Sequence, residues 1–215
     1  MGWKGFKDEW ATILIDLSKS KEELFDNIDR SRRKNINTAE ASGLQFVEAQ
    51  NEDWAKWYEI YRKVWTESGL KPRPIEELKQ YKLYIAKVVD IIGGGCFEVT
   101  EDRIRFEAFA SDITYQQMRV NDFLYWNSIL WAKEHGKKYV DLGGWQINAS
   151  GHLKGINTFK EKWGGTLTFY PVYSYNPFYI AGRKLIKHSK AAKWVADRFK
   201  GRPVAKEKKE NNESA

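Results

Sequence analysis

The protein has 215 residues, a length that suits one domain of moderate size. Hydrophobic residues make up 42% of the chain and charged residues 30%, which excludes a disordered chain. No apolar run approaches the roughly 20 residues that a membrane-spanning helix needs, and the first residues carry no signal-peptide pattern. The single cysteine, Cys96, excludes an internal disulfide, and three widely spaced histidines predict no metal site. We therefore expect a cytoplasmic protein without a metal or other cofactor.

The net charge of +7 comes entirely from the end of the chain. Residues 1–180 hold 25 basic and 25 acidic residues, whereas residues 181–215 hold 11 basic and 4 acidic residues. A neutral body with a basic tail indicates an anionic partner, either a nucleic acid or a membrane surface. A solvated helix followed by a disordered end explains the same pattern.

The first part of the chain predicts two strands and three helices. An apolar, β-branched run at residues 11–17 predicts a strand, and Ser18 or Ser20 caps the helix that follows. This helix continues at helical spacing to Gly43, and alternation at residues 44–49 predicts a second strand. Two further helices follow, a short one at residues 75–81 and, before it, one whose aromatic face consists of Trp54, Trp57, Tyr58, Tyr61 and Trp65.

The second part of the chain predicts an antiparallel meander, a long helix, and two strands that flank a short helix. The meander occupies residues 83–89, 91–99 and 103–110, and its glycines at 93–95 indicate a bulge or a close backbone approach. The long helix at residues 120–134 ends at Gly136. The last elements are strands at 139–142 and 167–173 and a helix at 155–163. This order predicts an α+β fold with a mixed, mostly antiparallel sheet flanked by helices.

A strand that ends in Asp141-Leu-Gly-Gly144 indicates a ligand site. The two glycines expose the backbone at the carboxyl edge of the sheet, where ligands bind in open sheets. Phe159-Lys160 on the next helix brings an ammonium group to that edge, where it could neutralise a phosphate or stabilise a developing oxyanion. A tight turn beside a buried phenylalanine and a surface lysine explains the same residues.

The order and spacing of these motifs resemble the C-terminal GNAT-like module of the FemAB family. Those enzymes attach amino acids from aminoacyl-tRNA to the peptide stem of peptidoglycan precursors. The resemblance covers roughly residues 10–173 and implies a single GNAT-like domain that transfers an aminoacyl group without a covalent enzyme intermediate. It rests on Glu23-Leu24, Arg32-Arg33, residues 124–133, Asp141-Leu-Gly-Gly144, Gly155-Ile156, Phe159-Lys160 and Trp163-Gly-Gly165.

The resemblance also implies roles for individual residues. Phe159 and Lys160 match a pair beside the reacting ester, where Lys160 would stabilise charge. Arg32 and Arg33 match a double arginine that could meet anionic groups of the substrate or the tRNA, or form a solvated helix face. The remaining substrate-binding candidates are Asp141, Gly143, Gly144, Trp145, Tyr115 and Tyr125, although a turn or cap suits Asp141 and the core suits the three aromatic residues.

The sequence matches one of the two tandem modules that FemAB proteins carry. The chain could therefore form a homodimer, pair with a partner module, or use an amine acceptor other than the peptidoglycan precursor. Two other functions stay open: a non-catalytic half-length module that binds tRNA or a partner protein, and a CoA-dependent acetyltransferase. Residues 111–121 contain no glycine where acetyltransferases hold the CoA pyrophosphate, which opposes the latter.

We expect four segments: a lead-in at residues 1–10, the GNAT-like domain at 11–176, a basic amphipathic helix at 177–202 and a disordered tail at 203–215. The helix could lie on the anionic inner face of a membrane or follow the tRNA backbone. Its candidate contact residues are Arg183, Lys184, Lys187, Lys190 and Lys193.

Overall fold

The computed structural model describes residues 6–174, which form one seven-stranded mixed sheet with helices against both faces. The strands are β1 Phe6–Asp16, β2 Gln45–Glu48, β3 Lys82–Lys87, β4 Ile91–Val99, β5 Arg103–Ser111, β6 Tyr139–Trp145 and β7 Thr166–Ser174. The helices are α1 Lys21–Asn27, α2 Arg30–Glu40, α3 Asp53–Glu67, α4 Ile75–Leu78, α5 Val120–Glu134 and α6 Gly151–Glu161, with a 3-10 turn at Ile113–Met118. The predicted segments 177–202 and 203–215, with Arg183, Lys184, Lys187, Lys190 and Lys193, lie outside the described residues.

The sheet has the strand order β2-β3-β4-β5-β6-β1-β7. Strands β5 and β6 pair in parallel through Arg103–Tyr139, Ile104–Val140 and Arg105–Asp141, and the other neighbours pair antiparallel. The predicted meander is confirmed as β3-β4-β5. The first strand of the chain lies between β6 and β7, so the carboxyl end of β6 lies beside the middle of β1.

Two layers of side chains cover the sheet. Helix α3 packs on one face, where Trp57 and Tyr61 are fully buried, which confirms its predicted aromatic face. Helix α5 packs on the other face, where Leu124 and Ile129 are buried among residues from α1, α2 and the strands. Since large apolar side chains dominate both layers, their burial is the main favourable contribution to folding.

The glycines of β4 allow both helices to approach the sheet closely. A Cβ atom at Gly93 would lie 2.7 Å from Cγ1 of Val120 in α5, and one at Gly94 would lie 2.6 Å from the Trp57 ring in α3. Both distances are shorter than van der Waals contact. The close approach predicted for this glycine run is therefore confirmed.

A β-bulge between β4 and β5 changes which way the side chains of β5 point. Phe97 pairs with Phe106 and Cys96 with Ala108, so Glu107 is the extra residue of β5. Because an extra residue reverses the alternation of a strand, Phe106 packs on the α5 side whereas Ala108 packs on the α3 side.

Several predicted boundaries differ from the observed ones. Helix α6 begins at Gly151 and not at residue 155, and β6 ends at Trp145 and not at residue 142. Strand β1 begins at Phe6, before the predicted start at residue 11. The single helix predicted before Gly43 is two helices, because Ile28 has an extended backbone (φ −73°, ψ 139°) and Asp29 caps α2 through the N–H of Ser31. The start at Ser20 is confirmed, since its hydroxyl accepts from Glu23 in a capping box.

Candidate active site

The strands β5 and β6 separate after the pair Arg105–Asp141, and the candidate site lies where β6 continues beside β1 without β5. Here β6 contains an irregularity opposite β1, where Leu14 pairs with Asp141 and Thr12 with Gly144. Gly143 within it has a φ of +74°, a conformation that favours glycine. A Cβ at this position would also lie 2.6 Å from the Phe106 carbonyl oxygen, so β6 turns too close to β5 for any side chain.

Asp141 stabilises this turn through hydrogen bonds of its buried carboxylate. It is buried, with 8% of its surface exposed, and its carboxylate accepts a 2.8 Å hydrogen bond from the Gly143 N–H. The Thr12 hydroxyl of β1 donates to the same carboxylate oxygen and lies 2.9 Å from the Gly143 carbonyl oxygen. The turn role considered for Asp141 from the sequence therefore agrees with its contacts, and its hydrogen bonds also tie β6 to β1.

Lys160 projects from α6 to the same turn. Its Nζ donates a 2.9 Å hydrogen bond to the carbonyl oxygen of Gly144. Burial lowers the pKa of Lys160 to about 8, although the nearby carboxylates of Asp141 and Glu107 act in the opposite direction. The lysine is thus still largely protonated at neutral pH, and its positive charge is less screened by water than that of a surface lysine.

Phe159, the residue before Lys160, packs into the layer under α5. Its ring lies edge-on against Tyr125, with centroids 5.0 Å apart, and 6.0 Å from the Trp163 ring. The Arg32 guanidinium lies over this ring, 5.1 Å from its centroid, a cation–π distance. Phe159 therefore anchors the end of α6, while Lys160 projects toward β6.

Arg32 reaches Phe159 from α2 and is held by α5. Its guanidinium forms a 2.9 Å ion pair with Asp122, which also accepts a 3.2 Å hydrogen bond from Asn35. Burial raises the pKa of the Asp122 carboxyl, whereas Arg32 and Asn35 act to lower it. Of the double arginine, for which the sequence left anion binding and a solvated helix face open, Arg32 therefore lies beside the aromatic cluster at the end of α6.

The other predicted side chains have their own partners or lie exposed. Arg33 forms its ion pair with the exposed Asp26, at 3.0 Å. Tyr115 lies in the 3-10 turn with 40% of its surface exposed, and Tyr125 is buried against Phe106, Phe109, Phe159 and Trp163. The indole N–H of Trp145 donates to Glu161 at 2.9 Å, which joins the end of β6 to α6.

Three residues that the sequence analysis did not single out complete the site. Asn157 of α6 is buried, and its side-chain amide both accepts from the Gln146 N–H and donates to the Gln146 carbonyl, which fixes α6 to the end of β6. Glu107 lies close enough to affect Lys160 and is itself bound by Arg73 and Arg105. Thr12 is 129 residues from its partner Asp141.

Nothing in the local sequence marks Thr12 or Asn157 as site residues, because their partners come from distant strands and from a backbone amide.

Within residues 6–174 no group of three or more His, Cys, Asp or Glu side chains is arranged to hold a metal ion. In the same part of the chain, every helix is too short or too polar to cross a bilayer.

In sequence, the chain matches no protein-family model and no curated protein. In structure, it is similar to FemX, with a TM-score of 0.68 and 14% identity over 79% of this chain and 63% of FemX. It is also similar to L-PGS from Bacillus licheniformis, with a TM-score of 0.60 and 12% identity over 90% of this chain and 68% of that one.

A third similar structure is the C-terminal domain of a putative lysylphosphatidylglycerol synthetase from Agrobacterium fabrum, with a TM-score of 0.59 and 13% identity. The match covers 85% of this chain and 66% of that domain. The chain thus spans about two thirds of the length of the solved chains it matches. The TM-scores establish a shared fold, and at identities this low they establish the fold alone. The single α+β, GNAT-like domain implied by the FemAB resemblance is confirmed as the fold of this chain.

Proposed function

We propose that the protein transfers an aminoacyl group from aminoacyl-tRNA to an amine acceptor such as the stem peptide of a peptidoglycan precursor. The observation that carries this proposal is the ammonium group of Lys160, half buried at the carboxyl end of β6 in a fold shared with FemX. The FemAB resemblance supplies the expected donor and acceptor. The positive charge of Lys160 at the carboxyl end of β6 supplies a group that can stabilise a developing oxyanion.

The reaction needs a group that stabilises negative charge on a carbonyl oxygen. The acceptor amine attacks the ester carbon, a C–N bond forms, and the carbonyl oxygen becomes an oxyanion. The C–O bond to the tRNA ribose then breaks, the amine nitrogen loses a proton, and the ribose oxygen gains one. The Lys160 N–H groups that are not bound to Gly144 can donate to the oxyanion.

The lysine also has the protonation state that this role requires. With a pKa of about 8, most Lys160 side chains carry a positive charge at neutral pH. The same partial burial that lowers the pKa strengthens the interaction of this charge with an oxyanion. Removing one such electrostatic group costs about 2.7–4 kcal/mol of transition-state stabilisation, a factor of about 10²–10³ in rate.

A second candidate acceptor is the hydroxyl group of a phosphatidylglycerol headgroup. The similar structure from Agrobacterium fabrum is named as a putative lysylphosphatidylglycerol synthetase, and the chain covers 66% of that domain. The donor and the role of Lys160 would be the same, and the product would be an ester instead of an amide. The acceptor therefore distinguishes these two functions, and the lysine does not.

The sequence left two other functions open, a CoA-dependent acetyltransferase and a non-catalytic binding module, and both have less support. In place of a glycine loop for CoA, the segment before α5 is a 3-10 turn whose Asp112 caps Thr114 and whose Arg119 takes a left-handed conformation (φ 55°). A binding module without chemistry would not need a partly buried lysine with a lowered pKa, because such a group destabilises the fold.

The test is a transfer assay with tRNA charged with labelled amino acids. The acceptors are a soluble muramyl-pentapeptide nucleotide and, in a separate reaction, vesicles that contain phosphatidylglycerol. We expect label in one acceptor and a loss of about 10²–10³ in rate for Lys160→Ala. The matched control is Lys162→Ala, which removes a lysine near Asp29, two positions further along the chain, and should retain the wild-type rate.

The outcomes of this assay distinguish the two acceptors, the role of Lys160 and the binding module. Transfer to the nucleotide supports the amine acceptor, and transfer to the vesicles supports the lipid hydroxyl. Equal rates for wild type and Lys160→Ala would remove Lys160 from the mechanism. An absence of transfer to either acceptor, with tRNA still bound, would contradict transfer to these two acceptors by the chain alone. It would leave either a missing partner module or acceptor, or the binding module without chemistry.

A further inference from the structure

Asp141 is a buried carboxylate whose direct partners are uncharged. Its described hydrogen bonds come from the Thr12 hydroxyl and the Gly143 N–H. A buried carboxylate is unfavourable unless a positive charge lies nearby. Glu107 differs in this respect, since Arg105 binds it at 2.7 Å and Arg73 at 3.1 Å.

The hydrogen bonds of Asp141 lead directly to Lys160. The carboxylate fixes the Gly143 N–H, and Gly143 turns the chain so that the next carbonyl, that of Gly144, accepts from Lys160. A Cβ added to Gly143 would lie 3.7 Å from Nζ of Lys160, which shows how closely the lysine approaches this turn. Thr12 braces the arrangement from β1 through the carboxylate and the Gly143 carbonyl.

The charges that face Lys160 come from two strands. Asp141 on β6 and Glu107 on β5 both favour its protonated form, and Asp141 has the larger effect. Arg105 and Arg73 bind Glu107. Arg103, Arg105 and, on β7, Tyr170 lie within reach of the Asp141 charge. On α6 itself, Glu161 is bound by Trp145. Asp141 is therefore the carboxylate facing Lys160 whose own hydrogen bonds involve no cation.

We propose that Asp141 is a positioning residue for Lys160: its carboxylate shapes the Gly143–Gly144 turn that receives the lysine and places a negative charge close to this ammonium group. The inference rests on the proposed function for its role in transfer, but its structural part concerns Lys160 alone. In this proposal Asp141 acts through Lys160, by way of the Gly143–Gly144 turn.

The test measures the titration of Lys160 in the full chain without any substrate. Trace acetylation by acetic anhydride from pH 6 to pH 11, followed by mass spectrometry, gives the midpoint at which each lysine becomes reactive. We expect a Lys160 midpoint near 8 in the wild type, and a midpoint about one pH unit lower in Asp141→Asn. The asparagine keeps the shape and a carbonyl acceptor for Gly143 while it removes the charge.

Three comparisons make the result specific. Thr12→Val keeps the Asp141 charge and should leave the Lys160 midpoint near that of the wild type. Glu107→Gln should lower the midpoint less than Asp141→Asn does, because Asp141 has the larger effect on Lys160. The midpoint of Lys162 should stay unchanged in every variant. An unchanged Lys160 midpoint in folded Asp141→Asn, or a larger decrease in Glu107→Gln, would overturn the proposal.

The transfer assay then separates this proposal from the proposed function. In an active protein, the alkaline limb of the kcat profile should move to lower pH in Asp141→Asn together with the Lys160 midpoint, while KM changes less. A structural role of Asp141 alone would lower the thermal stability without moving that limb. If the midpoint moves and no acceptor is modified by the wild type, the positioning role stands and the proposed function fails.

Discussion

Lys160 is an unfavourable residue for folding and a suitable one for chemistry. Its ammonium loses part of its hydration, and its described hydrogen bond goes to the uncharged carbonyl of Gly144. Lys82, by comparison, has a carboxylate partner, Glu48, at 2.8 Å. Groups that destabilise a fold are commonly retained because the function needs them.

Lys160→Met should therefore stabilise the protein at neutral pH while it removes transfer activity. The methionine keeps an unbranched side chain with similar helix propensity and does not require the burial of a charge. We expect the free energy of unfolding to rise by roughly 1–2 kcal/mol at pH 7, less than the full pKa change would give because the side chain is only half buried. Denaturant titration of both proteins measures this difference.

The pH dependence of that difference tests its cause. The folded-state pKa of Lys160, about 8, lies below its ordinary value of 10.5, so the folded state binds the proton less tightly than the unfolded state. The destabilisation is complete below pH 8 and disappears as the pH rises to about 10.5. The advantage of Lys160→Met should shrink over the same interval. A difference that is constant with pH would show that the charge is not its cause.

At the scale of single residues, the sequence could predict the lysine but not what holds it. The Phe159-Lys160 pair follows a glycine turn within about twenty residues, so its pattern is local. The partners of the site are not local: Thr12 and Asp141 are 129 residues apart, and Arg32 and Asp122 are 90 residues apart. From the sequence alone, nothing distinguishes Arg32, which lies over Phe159, from Arg33, which pairs with the exposed Asp26.

At the scale of elements, predictions succeeded where one signal dominated. The long apolar run of α5 ends at Gly136, whose φ is +67°, and its predicted bounds of residues 120–134 are confirmed. The helix before Gly43 was predicted wrongly because its apolar stripe continues across Ile28 and Asp29. The break is fixed by a tertiary contact, since the Asp29 N–H donates to the Lys162 carbonyl at 2.9 Å.

Two glycine substitutions should have opposite effects on stability. In β4, a Cβ at Gly94 would lie 2.6 Å from the Trp57 ring, so Gly94→Ala forces α3 away from the sheet and should cost about 1–3 kcal/mol. In α6, Gly155 has no atom within 4 Å of the added Cβ, so Gly155→Ala should stabilise the helix by about 0.5–1 kcal/mol.

The measurement is the midpoint of thermal or denaturant unfolding for the two variants beside the wild type. Because the chemical change is the same in both, the comparison separates crowding between layers from the general preference for alanine. A Gly94→Ala protein as stable as the wild type would mean that α3 can shift without loss of packing. In that case the packing of α3 would not require a glycine at position 94.

At the scale of the whole molecule, the sequence predicted the class of fold but not the strand order. The meander β3-β4-β5 consists of consecutive strands, which pair through short turns and were predicted correctly. The insertion of β1 between β6 and β7 depends on pairs such as Thr12 with Thr168, which no local pattern encodes. It is this insertion that brings Thr12 to Asp141 and completes the candidate site.

The charge of the whole molecule leads to the last prediction, which concerns the chain beyond Gly182. Residues 183–215 hold 11 basic and 4 acidic residues, which is the entire net charge of +7. If this segment contacts an anionic partner, a protein truncated after Gly182 should bind tRNA or anionic vesicles more weakly than the full chain. The difference should be largest at low salt, because binding that releases counterions weakens steeply as salt rises.

The experiment compares three proteins in tRNA binding and in vesicle sedimentation, at several salt concentrations. The third protein is a full-length variant in which Arg183, Lys184, Lys187, Lys190 and Lys193 are replaced by glutamine, which separates charge from chain length. For each partner that the tail contacts, the salt dependence should be reduced in the truncated and the neutralised proteins alike. Equal binding of all three proteins to both partners would show that the basic tail contributes to neither, and that any contact with tRNA belongs to residues 1–182, whose basic and acidic side chains balance.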